Sequence, residues 1–438
     1  MGDPDPKASA SQIRTIFGNM GMNDTETVAL IGGGHAFGKA HGPCTSPPCG
    51  SGDMQGMGDN AFTSGFEGKW TTLPTTWTNQ FFQNLLNFNW LLTLGPGGRF
   101  QWSPSNKTDE STTPPDIFML TTDLALTKDS VYSEHVNTWA KNITSLELAF
   151  QHAWYKLTTS DMGPRTRCLG QNIPPAQAFQ MPLPDAPYTL PVYVPIRSSI
   201  QTLLDGNATN VGKFVTLAYQ CASTYRATDH MGGCNGARIR FSPEKDWPSN
   251  QGMMGVLATL APVKRQYDVS WADLIVLAGN TAMEHGGGNA MDFCGGRVDA
   301  NNGNGTEILA PRTYTPATVS VRDDMLVKGL TPYQMVALAG RPTNSSTTVS
   351  NALFVALMNE NFTETSSGSF TGRNGTVVSA DEYALIQDKE FKAIVQSYAA
   401  NTLFFKTQLA NAWTVMMNAD RFKGPRENAC TGVSTPTL

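Results

Sequence analysis

An incomplete internal repeat is the feature that most restricts how this chain can fold. Two motifs occur twice with unchanged internal spacing: Val28-Ala-Leu and Val336-Ala-Leu, and Ala-Trp154 with Asp161 and Ala-Trp413 with Asp420. A repeat over such distances means that one folding unit is used twice. Only 27 residues precede Val28, whereas a long segment, 192–330, precedes Val336. We therefore expect the first unit to be half of a domain and the second to be a whole one.

Capping signals mark the starts of several helices. A side-chain acceptor followed three residues later by Glu, Gln or Asp satisfies free amides of a first helical turn. Such pairs are Asn23 and Glu26, Thr144 and Glu147, Ser270 and Asp273, Thr331 and Gln334, and Ser379 and Glu382. The alternation typical of strands is confined to short pieces such as 237–241. The sequence predicts a mainly α-helical protein with long loops, and a proline-rich link after Met181 separates its two halves.

Composition excludes two classes of function. Charged residues make up 15% of the 438 residues, and the formal net charge is −5. A protein that binds nucleic acid through bulk charge is strongly basic, so no nucleic-acid partner is expected. No run approaches the ~20 apolar residues that a membrane span requires, so no membrane partner is expected either.

Two features favour a secreted chain over a cytoplasmic one. Eight Asn-x-Ser/Thr glycosylation sequences occur, and Cys44 and Cys49 frame a proline-rich loop. The seven cysteines leave at least one unpaired, and their spacing matches no zinc site. The first residues carry no secretory leader, so a leader is expected upstream of Met1 if the protein is secreted.

A histidine follows three glycines at the end of an apolar helical segment. The sequence from Glu26 reads Glu-Thr-Val-Ala-Leu-Ile-Gly-Gly-Gly-His35, and the glycines remove side-chain bulk beside the imidazole. Such a place suits a flat ligand. A histidine hydrogen-bonded inside a helix junction is an equally open interpretation of the pattern alone.

The His35 segment resembles the proximal haem-ligand helix of catalase-peroxidases, in class I of the plant-type peroxidase superfamily. The likeness runs the whole length of the chain. It implies a haem-peroxidase-like helical fold and haem b, with its iron bound by His35. It also implies that hydrogen peroxide is decomposed and small-molecule electron donors are oxidised, and it leaves a homodimer open.

The resemblance assigns the surroundings of His35. Asp123 and Trp70 match the pair that holds the proximal histidine, and Ser64 matches a residue near the haem edge at the substrate channel. A carboxylate behind the imidazole fixes its tautomer and makes it a stronger donor to iron. Without the family, Asp123 is equally a helix cap and Trp70 a core residue.

Two further residues match catalytic groups of the family. Met20 matches the methionine of the Met-Tyr-Trp adduct used in the catalase half-reaction, and Arg167 matches the mobile arginine that works with the adduct tyrosine. Met20 could equally be a core methionine of the helix that ends there.

The family's distal arginine, tryptophan and histidine have no counterpart in the first unit, because they would lie upstream of Met1. In the second unit Thr216, Tyr219 and Gln220 take their places, and no proximal histidine occurs around Arg341. Glutamine is no general base at neutral pH. We expect residues 1–185 to be the proximal half of a catalytic domain and 192–438 a haem-free peroxidase-like domain. The alternative is a catalytically inactive secreted glycoprotein that keeps a peroxidase-like scaffold.

Overall fold

Two compact units make up the chain, Met1–Thr159 and Ser160–Leu438. The computed structural model describes residues 4–40, 66–95, 99–107, 113–312, 314–343 and 346–430. Helices dominate both units, which confirms the predicted mainly helical class. Within these described ranges, no helix is both long enough and apolar enough to cross a membrane.

The first unit contains six helices and one hairpin in its described part. In chain order these are α1 (Pro6–Asn19), α2 (Asp24–Gly34), α3 (Gln80–Asn87), β1 (Phe88–Leu94), β2 (Phe100–Asn106), α4 (Thr121–Ala125), α5 (Ser130–Trp139) and α6 (Ile143–Thr159). Asn23 and Glu26 form the predicted capping box of α2. The side chain of Asn142 accepts a hydrogen bond from the Ser145 amide, so α6 begins earlier than the predicted Thr144 start.

The core of the first unit lies between α2 and the helices around it. Val28 and Ala29 of α2 are fully buried, together with Phe81 and Phe82 of α3. The hairpin pairs β1 with β2 antiparallel, with Phe88 opposite Asn106 and Leu94 opposite Phe100. This packing fixes the C-terminal end of α2, where His35 lies.

The second unit is larger. Its elements are α7 (Tyr193–Gly206), α8 (Asn210–Ala222), α9 (Met253–Gln266), α10 (Trp271–His285), α11 (Ala317–Val327), α12 (Pro332–Ala339), α13 (Ala352–Asn359), β3 (Phe362–Glu364), β4 (Phe370–Gly372), β5 (Val377–Val378), α14 (Ala380–Gln387), α15 (Lys389–Ala400) and α16 (Thr402–Asn418). The strands form one antiparallel sheet in the order β3-β4-β5. Helix α10 is almost entirely buried from Ala272 to Met283 and forms the centre of the core.

Disulfides close two loops of the second unit. Cys221 is bonded to Cys234, and Cys294 is bonded to Cys430 across 136 residues of sequence. Cys168 is a free thiol. Cys44 and Cys49, which frame the proline-rich loop noted in the sequence, lie outside the described residues.

The structure repeats the elements that the sequence motifs indicate. Helices α2 and α12 each begin with a capping box, at Asn23 and at Thr331. Asn79 before α3 donates to the carbonyls of Trp139 and Ala140, and Asn351 before α13 donates in the same way to the carbonyls of Tyr398 and Ala399. The two units therefore share these capping and helix-linking contacts.

Other sequence expectations differ from the structure. Residues 237–241 form no strand, because Ala237 takes a left-handed conformation and a 3-10 turn, Arg238–Arg240, follows it. Residues 160–185 belong to the second unit, whereas the predicted division lies between 185 and 192. As an assignment of function to the two halves, that division stays a prediction.

The repeated tryptophans have different surroundings. Trp413 is fully buried, and its indole N–H donates to Asn280 of α10 over 2.9 Å. Trp154 is 52% exposed. In the described part of the first unit, no helix covers Trp154 as α10 covers Trp413.

Candidate functional site

His35 lies directly after α2, as its C-terminal cap. The amide of His35 donates to the carbonyl of Ile31, which completes the last helical turn. The imidazole side chain keeps 23% of its surface exposed. Phe37, two residues later, is 49% exposed, and its ring packs against Trp77 with centroids 5.9 Å apart.

Asp123 lies behind the imidazole and is buried. Its Oδ1 atom is 3.4 Å from Nδ1 of His35. Its Oδ2 atom accepts two hydrogen bonds of 2.8 Å, from the backbone amide of Leu120 and from the indole N–H of Trp70. Because the Leu120 contact closes the first turn of α4, one carboxylate caps a helix and faces the imidazole at the same time. Asp123 therefore has the position of a helix cap and also faces His35, and its role beside a haem ligand stays a prediction.

Trp70 joins the histidine and the carboxylate. Its ring is stacked on the imidazole of His35, with ring centroids 3.8 Å apart and an interplanar angle of 8°. Phe118 packs against the indole at 5.0 Å, and the side-chain amide of Asn84 donates to the Trp70 carbonyl over 3.0 Å. The indole is therefore held at both its ring and its backbone, so that its N–H points at Asp123.

Burial dominates the electrostatics of this group. It lowers the pKa of His35, against the attraction of the Asp123 charge, so the imidazole is neutral at pH 7. Burial also raises the pKa of Asp123, and this rise is opposed by His35 and by the N–H donors of Leu120 and Trp70. Nδ1 of His35 and Oδ1 of Asp123 are both buried without a hydrogen-bond partner among the described residues, and they lie 3.4 Å apart. Each atom is therefore the polar group that faces the other.

The other predicted site residues do not join this group. Met20 is the C-terminal cap of α1 and is 43% exposed. Arg167 lies in the second unit, where its guanidinium covers the ring of Phe422 at 4.7 Å and its Nε donates to the Met162 carbonyl. Ser64 lies outside the described residues. The roles of all three stay predictions.

Three neighbours of the site were not predicted from the sequence. Phe81 meets the imidazole edge to face, with ring centroids 5.3 Å apart. Asn84 and the Leu120 amide fix Trp70 and Asp123, as described above. A polar Asn84 among the apolar residues of α3 was a usable signal, whereas a backbone amide leaves none in a sequence.

Comparison with known proteins extends these observations. The peroxidase family model matches residues 1–142 and 196–344, so one match falls in each structural unit. Together the two stretches cover more than half of the chain, and the fold is therefore that of a peroxidase.

Similarity to individual proteins shows which kind of peroxidase the chain resembles. Catalase-peroxidase 2 of Legionella pneumophila is 36% identical over 98% of this chain and 68% of the relative. The catalase-peroxidase of Pseudomonas putida is 40% identical over 74% of this chain and 49% of the relative, and that of Rhodopirellula baltica is 34% identical over 96% and 59%. The chain belongs to the catalase-peroxidase family. Enzymes of this family depend on haem and act on hydrogen peroxide.

Proposed function

We propose that this chain supplies the proximal half of the haem b site of a catalase-peroxidase, an enzyme that decomposes hydrogen peroxide and oxidises small electron donors, and that His35 is the protein ligand of the iron. The observation that carries this proposal is the group formed by His35, Asp123 and Trp70. Asp123, which the Trp70 indole holds in place, faces Nδ1 of the imidazole. Nε2 is therefore the ring nitrogen that remains available to bind a metal.

The residues present fit a haem group. A neutral imidazole is a metal ligand, and a carboxylate behind its second nitrogen is the usual partner of such a ligand. The described residues contain no group of three or more His, Cys, Asp or Glu side chains that could hold a metal ion. Haem iron needs only one protein ligand on this side, because the porphyrin supplies four others. Gly34 adds room, since a Cβ atom there would meet nothing within 4 Å.

Each residue has a separate task in this mechanism. Bound haem supplies the iron at which the peroxide O–O bond is broken. His35 would hold the iron through Nε2 and would keep its proton on Nδ1, on the side that faces Asp123. The carboxylate makes the imidazole more electron-rich, and the Trp70 and Leu120 donors hold the carboxylate in place. Stacking on Trp70 fixes the plane of the imidazole.

Haem titration tests the ligand assignment. We expect the purified chain to take up one haem, seen as a Soret band, and His35→Ala to abolish stoichiometric uptake. His152→Ala, on the exposed side of α6, is the matched control and should bind haem as the parent chain does. Equal retention of haem by both variants would exclude His35 as the ligand.

Asp123→Asn tests the partner of the ligand. The change keeps the shape of the side chain and removes its charge, and loss of such a partner typically costs about 10- to 100-fold in affinity or activity. The reduction potential of the iron should rise, because the imidazole becomes a poorer donor. An unchanged potential with unchanged peroxidase rate would show that Asp123 does not act on His35.

We also propose that the protein works in an oxidising compartment outside the cytoplasm. Six of the eight glycosylation sequences have an exposed asparagine, namely Asn23, Asn142, Asn207, Asn304, Asn361 and Asn374. The two disulfides of the second unit support the same proposal, because such bonds are rare in the cytosol. Mass spectrometry of the protein from its natural source tests it, and unmodified sequons with reduced cysteines would contradict it.

A further inference from the structure

The second unit contains a cavity of about 620 Å³ that the proposed function does not use. Helices α8, α11, α12 and α14 line it, together with the loop 308–312. Its volume falls within the range of sites that bind small molecules. The cavity is formed by residues of the second unit only.

The repeat relates this cavity to the His35 site of the first unit. Glu382 lines the cavity and caps α14 through the Ser379 amide, as Asp123 caps α4 through the Leu120 amide. Arg341 also lines it, ten residues after the helix cap Thr331. The corresponding residue of the first unit, ten after Asn23, is Gly33. A large cationic side chain thus stands where the first unit has none.

Arg341 carries a positive charge that no acidic side chain in the described part of the protein neutralises. Its guanidinium lies over the Tyr219 ring, 3.5 Å from the centroid. Nη1 donates to the Leu338 carbonyl over 2.8 Å, Nε is buried without a partner, and Nη2 makes no hydrogen bond among the described residues. An unpaired charge that is partly buried is costly, and a bound anion removes that cost.

The other cations of the cavity are already neutralised or solvated. Arg226 is paired with Asp229, and Lys328 is paired with Asp324. Arg312 is exposed at the rim, where water screens its charge. Arg341 is therefore the group of this wall that gains most from an anionic ligand.

The remaining walls define what kind of anion fits. Tyr219, Trp247 and Leu338 offer aromatic and apolar surface. Asp323 and Asp381 line the cavity as well, and the pKa of Asp381 is raised by burial and by the nearby charges of Asp324 and Glu382. Such an acidic wall repels a dianion more strongly than a monoanion. The planar fork of a guanidinium matches a carboxylate.

We propose that this cavity binds a small aromatic carboxylate, with its carboxylate on Arg341 and its ring beside Tyr219. Calorimetric titration of the full-length chain with three probes that share one ring tests the chemistry. We expect benzoate to bind with one site per chain and at least tenfold more tightly than neutral benzamide. Phenyl phosphate, a dianion at pH 8, should bind more weakly than benzoate.

Variants locate the site. Arg341→Gln removes the charge and should weaken benzoate binding about tenfold or more without changing benzamide binding, because one charge-assisted contact is lost. Arg341→Lys keeps the charge and should retain part of the affinity. Arg373→Gln, at an exposed position of the same unit, is the matched control and should bind benzoate as the parent chain does.

Three results would overturn the proposal. Equal affinity of the parent chain for benzoate and benzamide would show that no cation selects the ligand. Phenyl phosphate binding as tightly as benzoate would exclude the monoanion preference. Unchanged benzoate binding in a folded Arg341→Gln variant would put the site elsewhere, and the three-probe comparison decides the matter alone if that variant does not fold.

Discussion

The three adjacent glycines before His35 have different physical reasons for being glycine. A Cβ atom on Gly32 would lie 2.0 Å from Cζ of Phe82, and one on Gly33 would lie 2.2 Å from Cδ2 of Phe150. At Gly34 a Cβ atom would meet nothing within 4 Å. Two of the glycines thus let aromatic rings pack against α2, and only the third leaves open space beside the histidine.

A pair of alanine substitutions separates these reasons. Gly33→Ala should lower the free energy of unfolding by about 1–3 kcal/mol, because the ring of Phe150 must move. Gly34→Ala should raise it by about 0.5–1 kcal/mol, because alanine favours a helix and nothing obstructs its methyl group. Urea unfolding followed by circular dichroism measures both. Equal effects of the two changes would mean that Phe150 does not pack on α2 as described.

The sequence could predict only part of this residue-level arrangement. The glycines before His35 indicated room for a flat ligand; open space is found at Gly34, and the ligand itself stays a prediction. Phe82 and Phe150 approach α2 from segments far away in the chain, so no local pattern links them to Gly32 and Gly33. The roles predicted for Trp70 and Asp123 rest on resemblance to a family, because the spacing of the two residues does not indicate that they share a hydrogen bond.

Two asparagine side chains tie helices together at the level of elements. Asn79, ahead of α3, donates to two carbonyls at the end of α5, and Asn351, ahead of α13, does the same at the end of α15. The last carbonyls of a helix have no partner within it, so these amides satisfy groups that are otherwise left to water. Each link holds one helix start against one helix end.

Removing either amide should destabilise its own unit. Asn79→Ala removes the side-chain donor of the Trp139 carbonyl, while Gln83 still donates to the Ala140 carbonyl, and Asn351→Ala removes the side-chain donor of the Tyr398 and Ala399 carbonyls. Each loss should cost about 1–3 kcal/mol. Asn137→Ala is the control, because that exposed side chain bonds only within its own helix. Hydrogen exchange of the α5 and α15 amides should report each loss in its own unit. Loss of protection in both units after a single change would contradict independent links.

Sequence patterns predicted helix starts better than strands. Each of four predicted capping side chains accepts a hydrogen bond from the expected backbone amide: Asn23, Ser270, Thr331 and Ser379. Strand β1 escaped prediction because Phe-Asn-Trp-Leu-Leu-Thr-Leu lacks regular alternation, and its burial pattern is correspondingly uneven. A cap acts within four residues, whereas a strand depends on a partner that the local sequence does not contain.

At the scale of the whole molecule, the disulfides among the described residues cross-link the second unit, and Cys44 and Cys49 of the first unit lie outside those residues. Both disulfides of the described structure lie in the second unit, and Cys294–Cys430 ties the segment after α16 to the loop after α10. The repeat in the sequence predicted two related units. It could not predict the disulfide pairing, because seven cysteines allow many combinations.

Loss of the Cys294–Cys430 bond should therefore weaken the second unit. Replacing Cys294 and Cys430 by serine should cost about 2–5 kcal/mol, because the unfolded chain gains the freedom that a long closed loop removes. Cys168→Ser is the control, since Cys168 forms no bond. Limited proteolysis with fragment mapping measures the change. Faster cleavage of the first unit, with the second unaffected, would exclude a structural role for this disulfide.

The position of His35 at the end of α2 has an electrical consequence of its own. The aligned peptide dipoles of a helix give its C-terminus about half a negative elementary charge. The imidazole that caps α2 therefore stands in a negative potential with two sources, the carboxylate of Asp123 and the final carbonyls of the helix. The carbonyls do not titrate, so this part of the potential persists at any pH and in the Asp123→Asn variant. Any cation bound by His35 keeps that residual stabilisation.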